Sequence, residues 1–257
     1  MQAQQINLKT QVTGLLQPAN GGTGIDSSAA NGCPRVTAGV WTISTANCGP
    51  AAPFAITSFS GCSTVELGAS IVNPTFTASY SVRPAGAQIS NTEGIDSPLT
   101  LTTPFTSGTV VGTFVHSAVT TTTFTLSATQ GTTQTVLCSD SWQPAIFGGV
   151  GAPGATSTVT ASGTTAVLST GDVLPRIQLG AEVVGQEFGP FSPSGQTIYL
   201  LLIGGSHTFI DVNTGFPFAM AAPITVSFVN TNGATVTMYL YGSLYPQSLP
   251  YTLKVAS

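Results

Sequence analysis

Polar and apolar residues alternate with a period of two over much of the chain, the spacing of a half-buried β-strand. In Phe76-Thr77-Ala78-Ser79-Tyr80-Ser81-Val82 and Thr123-Phe124-Thr125-Leu126-Ser127-Ala128 every second side chain is apolar. Shorter runs at Val65–Leu67, Leu99–Leu101, Val110–Val115 and Thr133–Cys138 complete roughly seven short strands, a count that suits an immunoglobulin-like sandwich. Turn residues separate them at Pro84–Gly86, Asn91–Gly94, Ser107-Gly108 and Gln130-Gly131. No stretch carries the 3.6-residue period of an amphipathic helix.

A second β region follows. Ile198-Tyr199-Leu200-Leu201-Leu202-Ile203 is an unbroken apolar run bounded by glycines, which predicts a central strand. Ile224–Val229 and Ala234–Tyr241 flank Asn230-Thr231-Asn232-Gly233, and the Asn-Gly pair there predicts a hairpin because its turn needs positive φ. Tyr251–Val255 predicts a last strand. Between the two regions, Pro144, Gly148-Gly149, Gly151, Pro153 and Gly154 fall close together, a linker composition. Ahead of both, residues 1–24 are too short to own a core. Pro18 and Gly21-Gly22 end any regular element there, and Gly39–Ser44 is the clearest strand of the stretch that follows.

The expected organisation is therefore all-β: two small antiparallel β-sandwich domains, the first immunoglobulin-like, preceded by an extended N-terminal arm. Its parts are an arm at 1–24, a loop-rich connector at 25–61, a sandwich at 62–138, a Gly/Pro linker at 139–163 and a C-terminal sandwich at 164–257.

Composition narrows the function. Five Lys and Arg and nine Asp and Glu make the chain 5% charged, against 42% hydrophobic residues. A soluble protein ordinarily devotes about a quarter of its residues to charge. A surface of hydroxyls and backbone suits repeated β-structure packed against other chains. Lys9, Arg35, Arg83, Arg176 and Lys254 are scattered singly, so there is no basic footprint for nucleic acid. No run is long enough for a membrane-spanning helix, and the first ten residues lack the basic and apolar regions of a secretory signal. Cys33, Cys48, Cys62 and Cys138 lack the paired spacing of a zinc site. They read as free thiols, with a Cys33–Cys48 disulfide as the alternative for a particle that ends outside the cell.

Catalytic constellations are weak. Ser206, His207 and Asp211 lie in one short segment and cannot easily converge as a triad. His116 sits inside a β run. The carboxylate pairs Glu93/Asp96 and Glu182/Glu187 have no neighbour that would raise one pKa selectively, and Glu93–Asp96 lacks the acid density of a calcium loop. Gly21–Gly24 and Gly148–Gly151 lack the lysine and the strand–helix setting of a phosphate loop. No catalytic, cofactor or metal residue is assigned. Phe209, Phe216, Phe218, Tyr239, Tyr241 and Tyr245 concentrate in the C-terminal region and are the candidate receptor or subunit contacts, weighed against a place in the core.

One segment carries a family resemblance. Gln11-Val12-Thr13-Gly14-Leu15-Leu16-Gln17-Pro18-Ala19-Asn20-Gly21-Gly22-Thr23-Gly24 resembles the "VTG-L-P-ANGGTG" signature of tailed-bacteriophage tail fibre and virion structural proteins. It departs from the usual form at Leu16-Gln17, where a direct Leu-Pro step is common. Thr121–Thr129 also resembles a strand of bacterial and phage Ig-like repeats. The resemblance implies a non-enzymatic virion protein, made in the host cytoplasm, most simply a tail fibre or adhesion component. It implies a homotrimer that attaches to other virion proteins through Ile6, Leu8, Val12, Leu15, Leu16, Pro18, Asn20, Gly21, Gly22 and Gly24. The C-terminal domain would then face a host surface glycan or protein. A capsid decoration protein or head fibre is the alternative on the same particle. A carbohydrate-binding module or adhesin is the alternative of another class, and a polysaccharide-degrading tailspike would want a longer chain with paired carboxylates.

Overall fold

The computed structural model describes residues 33–37, 40–44, 53–180 and 184–256. The expected N-terminal arm with its ten candidate attachment residues, Cys48 and Glu182 lie outside these. The chain divides into two compact units, Met1–Ala55 and Ile56–Ser257. Among the described residues every regular element is a strand, arranged in several sheets.

In the first unit β1 (Cys33–Thr37) and β2 (Val40–Ser44) form an antiparallel hairpin, with Thr37 facing Val40 and Cys33 facing Ser44. The second strand is the one predicted at Gly39–Ser44.

The first block of the second unit contains β3 (Ile56–Ser60), β4 (Thr64–Glu66), β5 (Ser70–Val72), β6 (Thr75–Tyr80) and β7 (Gly86–Asn91). It continues with β8 (Leu99–Thr100), β9 (Ser107–Thr109), β10 (Thr113–Val115), β11 (Thr120–Gln130) and β12 (Thr132–Gln143). A five-stranded sheet in the order β4-β12-β11-β7-β8 accompanies a three-stranded sheet, β3-β6-β9, and a ribbon, β10-β5. All pairs are antiparallel except β12 with β4. Alternation along β11 turns Phe124, Leu126 and Ala128 into the core. There Phe124 packs on Phe76 of β6 and Phe114 of β10, with ring centroids 4.5 and 5.4 Å apart. These contacts bring the two sheets and the ribbon onto one core.

The opposite face of the β11–β12 hairpin is tied by hydroxyls instead of charges. Thr123 bonds Ser139 at 3.0 Å and Thr129 bonds Thr133 at 3.1 Å. Cross-strand hydroxyl pairs of this kind stabilise a sheet with no ionic group.

Cys62 and Cys138 form a disulfide with Cα atoms 5.9 Å apart, tying the end of β3 to β12. The expectation of free thiols is thereby corrected for this pair. Neighbouring cysteines in sequence are poor guides here, because antiparallel return brings together residues separated by 76 positions.

The expected linker at 139–163 is also corrected. Ser139–Gln143 completes β12, and after Pro144 the chain runs directly into β13 (Ala145–Gly151). The glycines serve packing within a strand. A Cβ on Gly148 would come within 2.6 Å of Ile177 and 2.8 Å of Leu200, so only glycine lets those neighbours cover the strand.

The second block adds β14 (Val159–Ser162), β15 (Thr165–Leu168), β16 (Val173–Leu179), β17 (Glu187–Phe191) and β18 (Thr197–Leu202). After these come β19 (Phe209–Asp211), β20 (Pro217–Phe218), β21 (Ile224–Val229), β22 (Thr235–Gly242) and β23 (Tyr251–Val255). A seven-stranded sheet, β14-β15-β16-β13-β18-β22-β21, has edge strands β14 and β21 in contact, so it curls around its own core. That core holds Phe147, Leu174, Tyr199, Leu201, Phe228 and Leu240. The other face is covered by the sheet β17-β23-β19-β20, with Phe188, Phe209, Leu253 and Val255 packed on Ile198, Leu200 and Leu202. Strand β18 is buried on both faces, as its unbroken apolar run predicts.

The blocks meet where the β21–β22 turn reaches the end of β4. The side-chain amides of Asn230 and Asn232 donate to the Leu67 carbonyl at 2.7 and 3.3 Å. Gly68, at φ +78°, brings its backbone against Asn232, where a Cβ would lie 2.9 Å from a carbonyl oxygen. Arg176 of β16 pairs with Glu66 at 3.5 Å.

Candidate functional site

The six C-terminal aromatics are separated by the sheet they sit on. Alternation along β22 sends Tyr239 and Tyr241 to the same face, and that face is the one covered by the four-stranded sheet. Tyr241 is 1% exposed and Phe209 2%, with their rings packed edge to face at 5.3 Å. Both are therefore core residues, not contacts for a receptor. Tyr239 and Phe218 are partly buried against the same core, Phe218 on the Tyr251 ring at 4.9 Å.

Phe216 and Tyr245 are 71% and 67% exposed. Each lies on a turn, where no strand alternation decides the direction of the side chain. Leu244 and Leu249, exposed alongside Tyr245, were not distinguished by the sequence. They enlarge the apolar surface around residues 244–249, next to a cleft of about 200 Å³ bordered by Tyr199, Ile224, Leu240, Gly242 and Leu244. Ser243 anchors this turn by donating to the Tyr245 carbonyl at 2.9 Å.

The residues with possible chemistry are placed as follows. The Asp211 carboxylate caps its own turn, accepting from Asn213 N–H at 3.0 Å and from the Thr214 hydroxyl at 2.8 Å. His207 Nε2 lies 3.1 Å from the Ile203 carbonyl. The Asp211 carboxylate is thus taken up by its own turn, and His207 Nε2 faces a backbone carbonyl. Among the described residues no group of three or more His, Cys, Asp or Glu side chains could hold a metal ion. Asp96 does not join Glu93 in a site, since it accepts a hydrogen bond from Val111 N–H at 2.8 Å.

One polar grouping was missed by the sequence. Glu93, from the β7–β8 loop, and His116, following β10, meet at 2.9 Å. Thr122 of β11 is buried and donates to the same Glu93 oxygen, while its Oγ1 lies 3.5 Å from His116 Nε2. The His116 ring stands edge-on to Trp142, centroids 4.5 Å apart, and Trp142 Nε1 donates to the Ala69 carbonyl at 2.8 Å. Asp140, paired with Thr122 across the hairpin, is buried and accepts from Ser63 N–H at 2.6 Å and from its hydroxyl at 3.2 Å. Burial pushes the Asp140 pKa up, and the Ser63 hydrogen bonds oppose that rise. In sequence, the only sign of this grouping is a polar Thr122 and Asp140 at positions where alternation calls for apolar residues.

No family model matches the chain, and no curated protein or solved structure does either.

Proposed function

We propose that the chain is a non-enzymatic structural protein of a tailed-bacteriophage particle, a tail fibre or adhesion component. Residues 1–24 attach it to other virion proteins, the assembly is a homotrimer, and the C-terminal β block faces the host surface. The observation that carries this reading is the segment Gln11–Gly24 and its resemblance to the phage virion signature. A chain with 5% charge supports it, because solubilising charge is dispensable where other subunits cover the surface. The exposed Phe216, Leu244, Tyr245 and Leu249 offer apolar contact area for a glycan or protein. Within this reading the first block is an immunoglobulin-like sandwich and the second a sandwich of its own.

The test is competition for adsorption. The full chain is the right competitor: truncation at residue 164 would remove β13, which lies inside the seven-stranded sheet. Saturating protein should block phage adsorption to host cells. No competition, with the chain found on the capsid, would instead support a decoration protein or head fibre.

A further inference from the structure

We propose that Thr122 and Glu93 condense to an intramolecular ester, a covalent cross-link between β11 and the β7–β8 loop. The structure places a hydroxyl, a carboxyl oxygen and an imidazole nitrogen in mutual contact. Thr122 Oγ1 bonds Glu93 Oε1, and His116 Nε2 lies 2.9 Å from that carboxyl oxygen and 3.5 Å from the hydroxyl. This inference is independent of the virion reading.

The parts are held in place before reaction. Asn91 fixes the loop that carries Glu93: its Oδ1 accepts from Glu93 N–H at 3.1 Å and from Ile95 N–H at 3.2 Å. Thr92 N–H donates to the Thr123 carbonyl, and Thr123 N–H donates back to the Thr92 hydroxyl, so the loop is registered on β11 one residue from Thr122. Positioning of this kind reaches effective concentrations of about 10⁵–10⁸ M, the advantage an ester needs over hydrolysis. Thr122 is fully buried, and the Trp142 ring backs His116. Asp140 adds a second buried carboxyl opposite Thr122, one that holds its proton to higher pH than a solvated acid.

The step balances without a co-reactant. Thr122 Oγ1 adds to Cδ of Glu93 with the acid proton carried on Oε1, and the hydroxyl proton passes to His116 Nε2. The Cδ–Oε1 bond then breaks, and the departing oxygen, already against Nε2, takes that proton and leaves as water. One C–O bond forms, one breaks, and no atom changes oxidation state.

Mass spectrometry of the full chain, denatured and reduced, tests this. The expected mass is below that of the sequence by one water, with a peptide containing residue 93 joined to one containing residue 122. Hydroxylamine should separate the two. Thr122→Val and Glu93→Ala should each restore the full mass of their own sequences. Glu93→Gln should lose ammonia in place of water and converge on the wild-type mass. Wild-type protein at its full sequence mass, with separate peptides, would mean a hydrogen-bonded Thr–Glu–His group only and would overturn the proposal.

Discussion

The two blocks of the second unit keep a charge-poor β-structure together in different ways. In the first block, thin sheets meet over one aromatic cluster, and the joint is fastened by the Cys62–Cys138 disulfide and by polar groups set into the core. In the second, β18 is apolar on both faces and lies between two cores, one inside the curled sheet and one beneath the four-stranded sheet. No disulfide joins its described residues. A small core gains most from a cross-link, whereas a strand covered on both sides draws its stability from packing.

The largest effect should come from removing the staple. Replacing Cys62 and Cys138 together by serine releases a 76-residue loop, worth about 4 kcal/mol from chain entropy. Urea denaturation read against wild type should show that loss. A change under about 1 kcal/mol would mean that packing holds the first block by itself.

Leu200→Ala probes the other strategy. Leu200 is fully buried beneath the four-stranded sheet, and its truncation should cost about 3 kcal/mol. A much smaller loss would show that this second core collapses around the cavity.

Asn230→Ala sharpens the comparison at the seam. It removes the amide that serves the Leu67 carbonyl and a side-chain oxygen that accepts from Asn232 and Ala234 N–H. A loss of about 1–3 kcal/mol is expected. Calorimetry should then show two transitions where wild type shows one, if this turn is what couples the blocks.

Asp140 gives a pH signature confined to the first block. Its folded pKa lies above the ordinary 3.8, so the folded state holds the proton more tightly. The stability linked to that proton is fully present below pH 3.8 and is lost as pH rises through the folded pKa. Asp140→Asn should flatten this acid-range slope in denaturation midpoints measured against pH. An unchanged slope would show that Asp140 titrates as a solvated carboxylate. The smallest effect on stability belongs to Phe216→Ala and Tyr245→Ala, within about 0.5 kcal/mol, although both should weaken competition for adsorption.

Much of the fold was legible where one face of a strand is wet and the other dry. Thr120–Gln130 shows its core side in its alternation, Asn232-Gly233 marks its hairpin, and Ile198–Ile203 declares burial on both sides. Where a residue's role depends on a distant partner, the sequence was silent. Gly148-Gly149 reads as a linker until Ile177 and Leu200 are seen packed over it. Phe209 and Tyr241 have the composition of a binding patch, but the sheet that buries them is assembled from strands far apart in sequence. Cys62–Cys138 and Glu93–His116 are likewise products of topology, joining residues 76 and 23 positions apart.

The central claim is that this chain is a virion component whose C-terminal β block meets the host. A cryo-EM map of the intact particle tests it most directly. The account predicts trimeric density at the tail, joined to its neighbours through residues 1–24 and with residues 145–256 pointing outward. Density on the capsid shell, or a particle that lacks the chain altogether, would contradict it.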